Sequence, residues 1–144
     1  MVTGNVMSMQ LKGSSLSAEP GATIHLAAQG VNSPDATLAG IKRTDLINER
    51  TSVPGRHLIQ SRVEFPAGAS AARHQHAGEE AVFVLEGTLE YRLDGASPVT
   101  LKAGDALLIP YGRPHSVRNA GSGPAVELAT YVVEEAKPLV TLVE

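Results

Sequence analysis

From Ile41 onward every apolar run is short and stops at a turn signal. His57–Phe65 ends at Pro66-Ala67-Gly68, Ala81–Leu85 at Glu86-Gly87, Thr88–Leu93 at Asp94-Gly95, and Val99–Leu101 at Lys102-Ala103-Gly104-Asp105. Ala106–Ile109, His115–Asn119 and Val126–Val133 follow, with Pro138–Val143 as a candidate last strand. No 3.6-residue apolar period persists beyond two turns, and no internal repeat is visible. A chain punctuated in this way predicts an all-β fold of about eight to eleven short antiparallel strands in a meander. Glu86-Gly87 reads as a two-residue hairpin loop, and Asp94-Gly95 as the turn of a second hairpin into Val99–Leu101. The core has to come from Val, Leu, Ile and Ala, because the only aromatic residues are Phe65, Phe83, Tyr91, Tyr111 and Tyr131.

The 144 residues are enough for one domain, given about 100–200 residues per domain. Cysteine is absent, which excludes disulfides, zinc–thiolate sites, iron–sulfur clusters and thiol nucleophiles. A formal net charge of −3 and a pI near 5.9 give no basic surface for a phosphate backbone, so no nucleic-acid partner is expected. No apolar run is long enough to span a membrane. Residues 1–40 read as an N-terminal extension, flexible and partly irregular, with a short strand at Thr23–Ala27 and a turn at Asn32-Ser33-Pro34-Asp35. They lack the basic start and apolar stretch of a signal peptide, so a cytoplasmic location is expected. Residues 41–144 form the barrel domain in this reading.

Three of the five histidines, His74, His76 and His115, fall in strand segments. His74 and His76 are two apart, so on a strand both imidazoles share one face. Glu80 follows after a turn that can reverse the chain and bring it beside them on the neighbouring strand. Val82 and Val84 share its parity, whereas Glu79 faces the other way. Closure into a barrel would bring the His115 strand opposite His74. Three imidazoles and a carboxylate suit one divalent transition metal, with Fe, Mn, Ni, Zn, Co and Cu all acceptable. The bland alternative is a satisfied polar cluster in the barrel. Four ionisable groups in one interior would be a costly way to build a core.

Gly68-x5-His74-x-His76-x3-Glu80-x6-Gly87 resembles the first signature motif of the cupin superfamily at every fixed position. Gly104-x5-Pro110-x-Gly112-x2-His115-x3-Asn119 resembles the second, again without departure, and 16 residues separate the two. The spacer is similar to that of small single-domain bacterial cupins. The resemblance implies a small jelly-roll β-barrel with His74, His76, Glu80 and His115 as metal ligands. It also implies turn roles for Gly87 and Gly112 and a structural role for Asn119.

For function, the expectation is a mononuclear metal-dependent enzyme, dioxygenase-like, acting on a small polar organic molecule. The shortage of aromatic side chains argues against a flat apolar substrate. Glu80 is the candidate catalytic base. The alternatives are a non-catalytic cupin that binds or senses a metal and a small ligand, and an O2-independent isomerase or lyase. Gln60, Arg62, Val82, Val84 and Tyr111 are candidate pocket residues, although alternation along His57–Phe65 favours a solvated outer face for Gln60 and Arg62. His25 and His57 have no partners by pattern. A homodimer is expected, with the apolar tail Leu139–Val143 as its contact.

Overall fold

The computed structural model describes residues 40–144. The strand expected at Thr23–Ala27, the turn at Asn32–Asp35, His25 and the rest of the extension up to residue 39 lie outside the described residues. Ten strands follow one another: β1 Lys42–Arg50, β2 Arg56–Phe65, β3 Ser70–Gln75, β4 Gly78–Glu86, β5 Thr88–Leu93, β6 Val99–Lys102, β7 Ala106–Ile109, β8 His115–Asn119, β9 Ala125–Glu134 and β10 Thr141–Leu142. Among the described residues no helix is long and apolar enough to cross a membrane.

The strands form two five-stranded sheets, ordered β1-β2-β9-β4-β7 and β10-β3-β8-β5-β6. Every pairing is antiparallel, but most sheet neighbours are not neighbours in sequence. The fold is therefore a jelly roll and not the expected meander. Alternation supplies the core. Ile59, Val63 and Phe65 of β2, Val82 and Val84 of β4, and Ala129, Tyr131 and Val133 of β9 face Ala71, Leu89, Tyr91, Leu101 and Val117 of the other sheet. Truncating a fully buried residue such as Leu89 to Ala should cost about 2–5 kcal/mol.

Two sequence expectations are corrected here. Glu86-Gly87 does not close a hairpin, because β4 and β5 lie in different sheets and the chain crosses between them at Gly87. Gly87 has φ +77°, and a Cβ there would stand 2.5 Å from the Pro124 carbonyl oxygen, so both conformation and space demand glycine. Asp94-Gly95 does join a paired hairpin, β5 to β6. The tail is also not a free contact strip. Leu139 is buried in its own core, Val140 packs against that core, and β10 pairs with β3.

Candidate metal centre

A bulge in β3 sets the site. Ala71 pairs with Val117 and His74 with His115, so three steps on β3 oppose two on β8. The extra residue shifts the side-chain parity: Ala71 faces inward, and so do His74 and His76. His115 is therefore the direct cross-strand partner of His74 and not its opposite across the barrel. Glu80 corrects the expectation the other way. It lies on β4 in the facing sheet, where it is paired with Tyr131 and Ile109, and reaches the histidines across the interior.

All four side chains are buried, His74 at 6%, His76 at 3%, Glu80 at 3% and His115 at 1% exposure. The ring centroids of His74 and His115 are 4.3 Å apart, and His76 lies 4.9 Å from His74 and 5.1 Å from His115. One ligand atom from each histidine falls within 4.8 Å of the others. Glu80 Oε2 is 3.0 Å from His76 Nε2 and 3.3 Å from His115 Nε2.

The backbone decides the tautomers. His74 Nδ1 is 2.6 Å from the Ala72 carbonyl, His76 Nδ1 is 2.6 Å from that of Leu139, and His115 Nδ1 is 2.9 Å from that of Arg113. A carbonyl only accepts, so each Nδ1 carries a proton and each ring turns its Nε2 into the cavity. His76 and His115 turn Nε2 toward the Glu80 carboxylate, and one ligand atom from each of the three histidines lies in a common cluster. His76 Nε2 and Glu80 Oε2 have no hydrogen-bond partner although both are sealed from solvent. Such a set is repulsive unless a cation sits in it, and the donor types fit a first-row divalent ion. Backbone carbonyls aligning metal-binding imidazoles are the usual outer support of such a site.

Burial, helped by the neighbouring His115 and His76, lowers the His74 pKa to about 4, so this ring is neutral at ordinary pH. Burial pushes Glu80 the opposite way, up, but the contacts with His115 and His76 outweigh it and hold the carboxyl below its usual range. Tyr131, beside Glu80, is raised well above the ordinary phenol value by burial and then by the charge of Glu80.

The four side chains share a cavity of about 430 Å³, its open mouth included, with Arg43, Tyr91, Glu127 and Tyr131 among its other walls. Sequence reasoning missed these four. Arg43 stands in sequence among Lys42, Asp45, Glu49 and Arg50, a pattern typical of a solvated face, yet its side chain lines the cavity. Glu127 shares strand parity with Ala125, Ala129, Tyr131 and Val133, the face of β9 that the fold turns inward.

The expected pocket residues fare differently. Gln60 and Arg62 point outward, opposite in parity to the buried Ile59, Ser61, Val63 and Phe65; Gln60 donates to Thr130 and Arg62 pairs with Glu64. They do not line the cavity, because it is the odd-numbered positions of β2 that face inward. Val82 and Val84 face inward but belong to the packed core and not to the cavity wall. Tyr111 is 44% exposed and donates its hydroxyl to Glu134 on the surface. Asn119 ties the carbonyls of Phe65, Pro66 and Gly123 together.

Residues 61–131 match the family described as the cupin domain. Over 56 residues the chain is 41% identical to dimethylsulfoniopropionate lyase DddQ of Ruegeria pomeroyi, a stretch covering 39% of this chain and 28% of that protein. Over 74 residues it is 32% identical to an oxalate-binding protein of Thermotoga maritima, covering 51% and 60% of the two chains. The chain thus spans less than two thirds of the length of either curated relative. In fold it is similar to a cupin-like protein of Thermotoga maritima, with a TM-score of 0.61 at 22% identity over 72% of this chain and 75% of that one. Residues 61–131 thus match the cupin domain, and the jelly roll around them has the fold of a cupin-like protein.

Proposed function

We propose that the chain is a mononuclear metal-dependent enzyme acting on a small organic acid, with His74, His76, His115 and Glu80 as the metal ligands. The buried cluster of three histidines, each held through Nδ1 on a backbone carbonyl, with Glu80 Oε2 against His76 and His115, carries this reading. A bound divalent ion would supply Lewis-acid polarisation of a carboxylate or carbonyl oxygen. The chain's own residues supply the rest. Arg43, anchored by Asp45 and Ser61, is the cation at the wall of an otherwise acidic cavity and attracts an anionic ligand. Glu80 is the proposed base, taking a proton from the substrate when its carboxylate swings off the metal. Full turnover by a fully metal-loaded Glu80→Gln protein would contradict that role.

Both curated relatives bear names that refer to small carboxylates, which supports the substrate class. The lyase relative favours O2-independent chemistry, with the dioxygenase-like reaction as the oxygen-consuming variant. The oxalate-binding relative favours a second reading, in which the protein holds its ligand without turnover. One experiment separates them: load the protein in turn with Fe, Mn, Ni and Zn and follow O2 uptake and product formation over a panel of small organic acids. Product without O2 uptake supports the lyase form, and uptake supports the dioxygenase-like form. Tight binding with neither supports the binding reading. A homodimer in the cytoplasm completes the proposal, and sedimentation checks the oligomer.

A further inference from the structure

The cavity holds a second carboxyl that the metal reading leaves unused. Glu127 lies on β9, facing inward, and is 3% exposed. It stands in register between Val63 of β2 and Val84 of β4, whereas Glu80 pairs with Tyr131. Glu127 is thus offset along the strands from the metal ligands, yet its side chain opens on the same cavity. Tyr91, coming from the facing sheet, donates its hydroxyl to Glu127 Oε2. Among the described residues Oε1 has no hydrogen bond, and it is not one of the sealed, unpartnered atoms either. It therefore faces the cavity.

The charged and titratable groups around this carboxyl are Tyr91, Tyr131, Glu80, Arg43 and the three histidines. No cation pairs with it, since Arg43 is engaged with Asp45 and Ser61. Burial, then the charge of Glu80, outweighs the Tyr91 hydrogen bond and raises its pKa to about 8. Burial is the larger of the two causes. With the Tyr91 proton directed at Oε2, the carboxyl's own proton belongs on Oε1.

We propose that Glu127 is a specificity residue of this cavity: as a neutral acid it donates a hydrogen bond from Oε1 to an acceptor oxygen at the far end of a ligand whose near end is held at the histidine cluster. The ligand class is a short acid with oxygen acceptors at both ends, such as a dicarboxylic or keto acid. This rests on the metal-site reading above and deepens it.

The test titrates malonate and succinate into the zinc-loaded full chain by calorimetry near pH 6.5, about two pH units above an ordinary Glu. Acetate is the one-ended control. Glu127→Leu should weaken binding of the better dicarboxylate about tenfold or more, the weight of a charge-assisted hydrogen bond. Acetate binding and zinc stoichiometry should not change. Glu127→Gln, whose amide still donates, should stay within about threefold of the unaltered protein. Raising the pH to about 9 should weaken dicarboxylate binding by the unaltered protein but not by Glu127→Gln. The infrared carbonyl stretch of a protonated carboxyl, present at neutral pH and lost in Glu127→Gln, gives a readout independent of ligand. Equal dicarboxylate binding by Glu127→Leu, or an ionised Glu127 at neutral pH, would overturn the inference. Zinc uptake with no dicarboxylate binding would also overturn it while leaving the metal site standing. Failure to take up zinc at all would overturn the underlying reading.

Discussion

His74, His76 and His115 differ from ordinary core histidines in one respect: each Nδ1 is fixed on a backbone carbonyl. That leaves Nε2 of each ring turned into the cavity, those of His76 and His115 against Glu80. Substituting any of these ligands should lower metal affinity by at least about a hundredfold, since even outer-shell partners cost 10–100-fold. Metal content after dialysis of Glu80→Ala checks this. Glu127 and His74 also make stability depend on pH. Glu127 is raised to about 8 from an unfolded value of 4.5, so the stability it gives is full below pH 4.5 and is lost as the pH climbs through 8. His74 is lowered to about 4 from 6.5, so its effect runs the other way and destabilises progressively as the pH falls from 6.5 to 4. The two slopes oppose each other between 4.5 and 6.5, and Glu127 acts alone from 6.5 to 8. Urea midpoints of the metal-free protein should therefore fall from pH 6.5 to 8, by up to about 1.4 kcal/mol per pH unit. In Glu127→Gln that decline should vanish.

At the scale of elements, the β3 bulge does the positioning. It places Ala71 and His74 on the same interior face and leaves the Ala72 carbonyl to hold the His74 ring. Deleting Arg73 should restore plain alternation and keep His74 inward opposite His115, but it alters the backbone that lets the Ala72 carbonyl hold the ring, so metal affinity should fall while the β-sheet circular dichroism stays in place. Gly87 is the other constrained element. Gly87→Ala should destabilise by about 1–3 kcal/mol or more, combining left-handed strain with a collision against Pro124. Gly95 has the same φ of +77° but nothing within 4 Å of an added Cβ, so Gly95→Ala should cost less, near about 1 kcal/mol. Thermal melts of the pair give the comparison.

Seen as a whole, much of this molecule was legible in its sequence, and the reasons are specific. Thr88–Leu93, Ala106–Ile109 and His115–Asn119 could be bounded to the residue because turn residues flank clean alternation. β1 was not read as a strand because Lys42, Arg43, Asp45, Glu49 and Arg50 mark an edge, where charge replaces apolar patterning. The motif spacing named His74, His76, Glu80 and His115 as candidate ligands, but not their spatial arrangement. Which sheet a strand joins is decided by long-range pairing, so Glu80 was placed beside the histidines and His115 opposite His74. Glu127 escaped because its strand, Val126–Val133, is apolar on both faces, and only the packed barrel shows which face encloses the cavity.

The central claim is that one divalent cation is gripped by three imidazoles and a carboxylate drawn from both sheets. Its most direct measurement is metal content after loading with Co²⁺ and exhaustive dialysis, set beside the X-ray absorption of the loaded protein. The account predicts one cobalt per chain with imidazole nitrogens in its first shell, and none retained by His76→Ala. No retention by the unaltered chain, or equal retention by the variant, would contradict it.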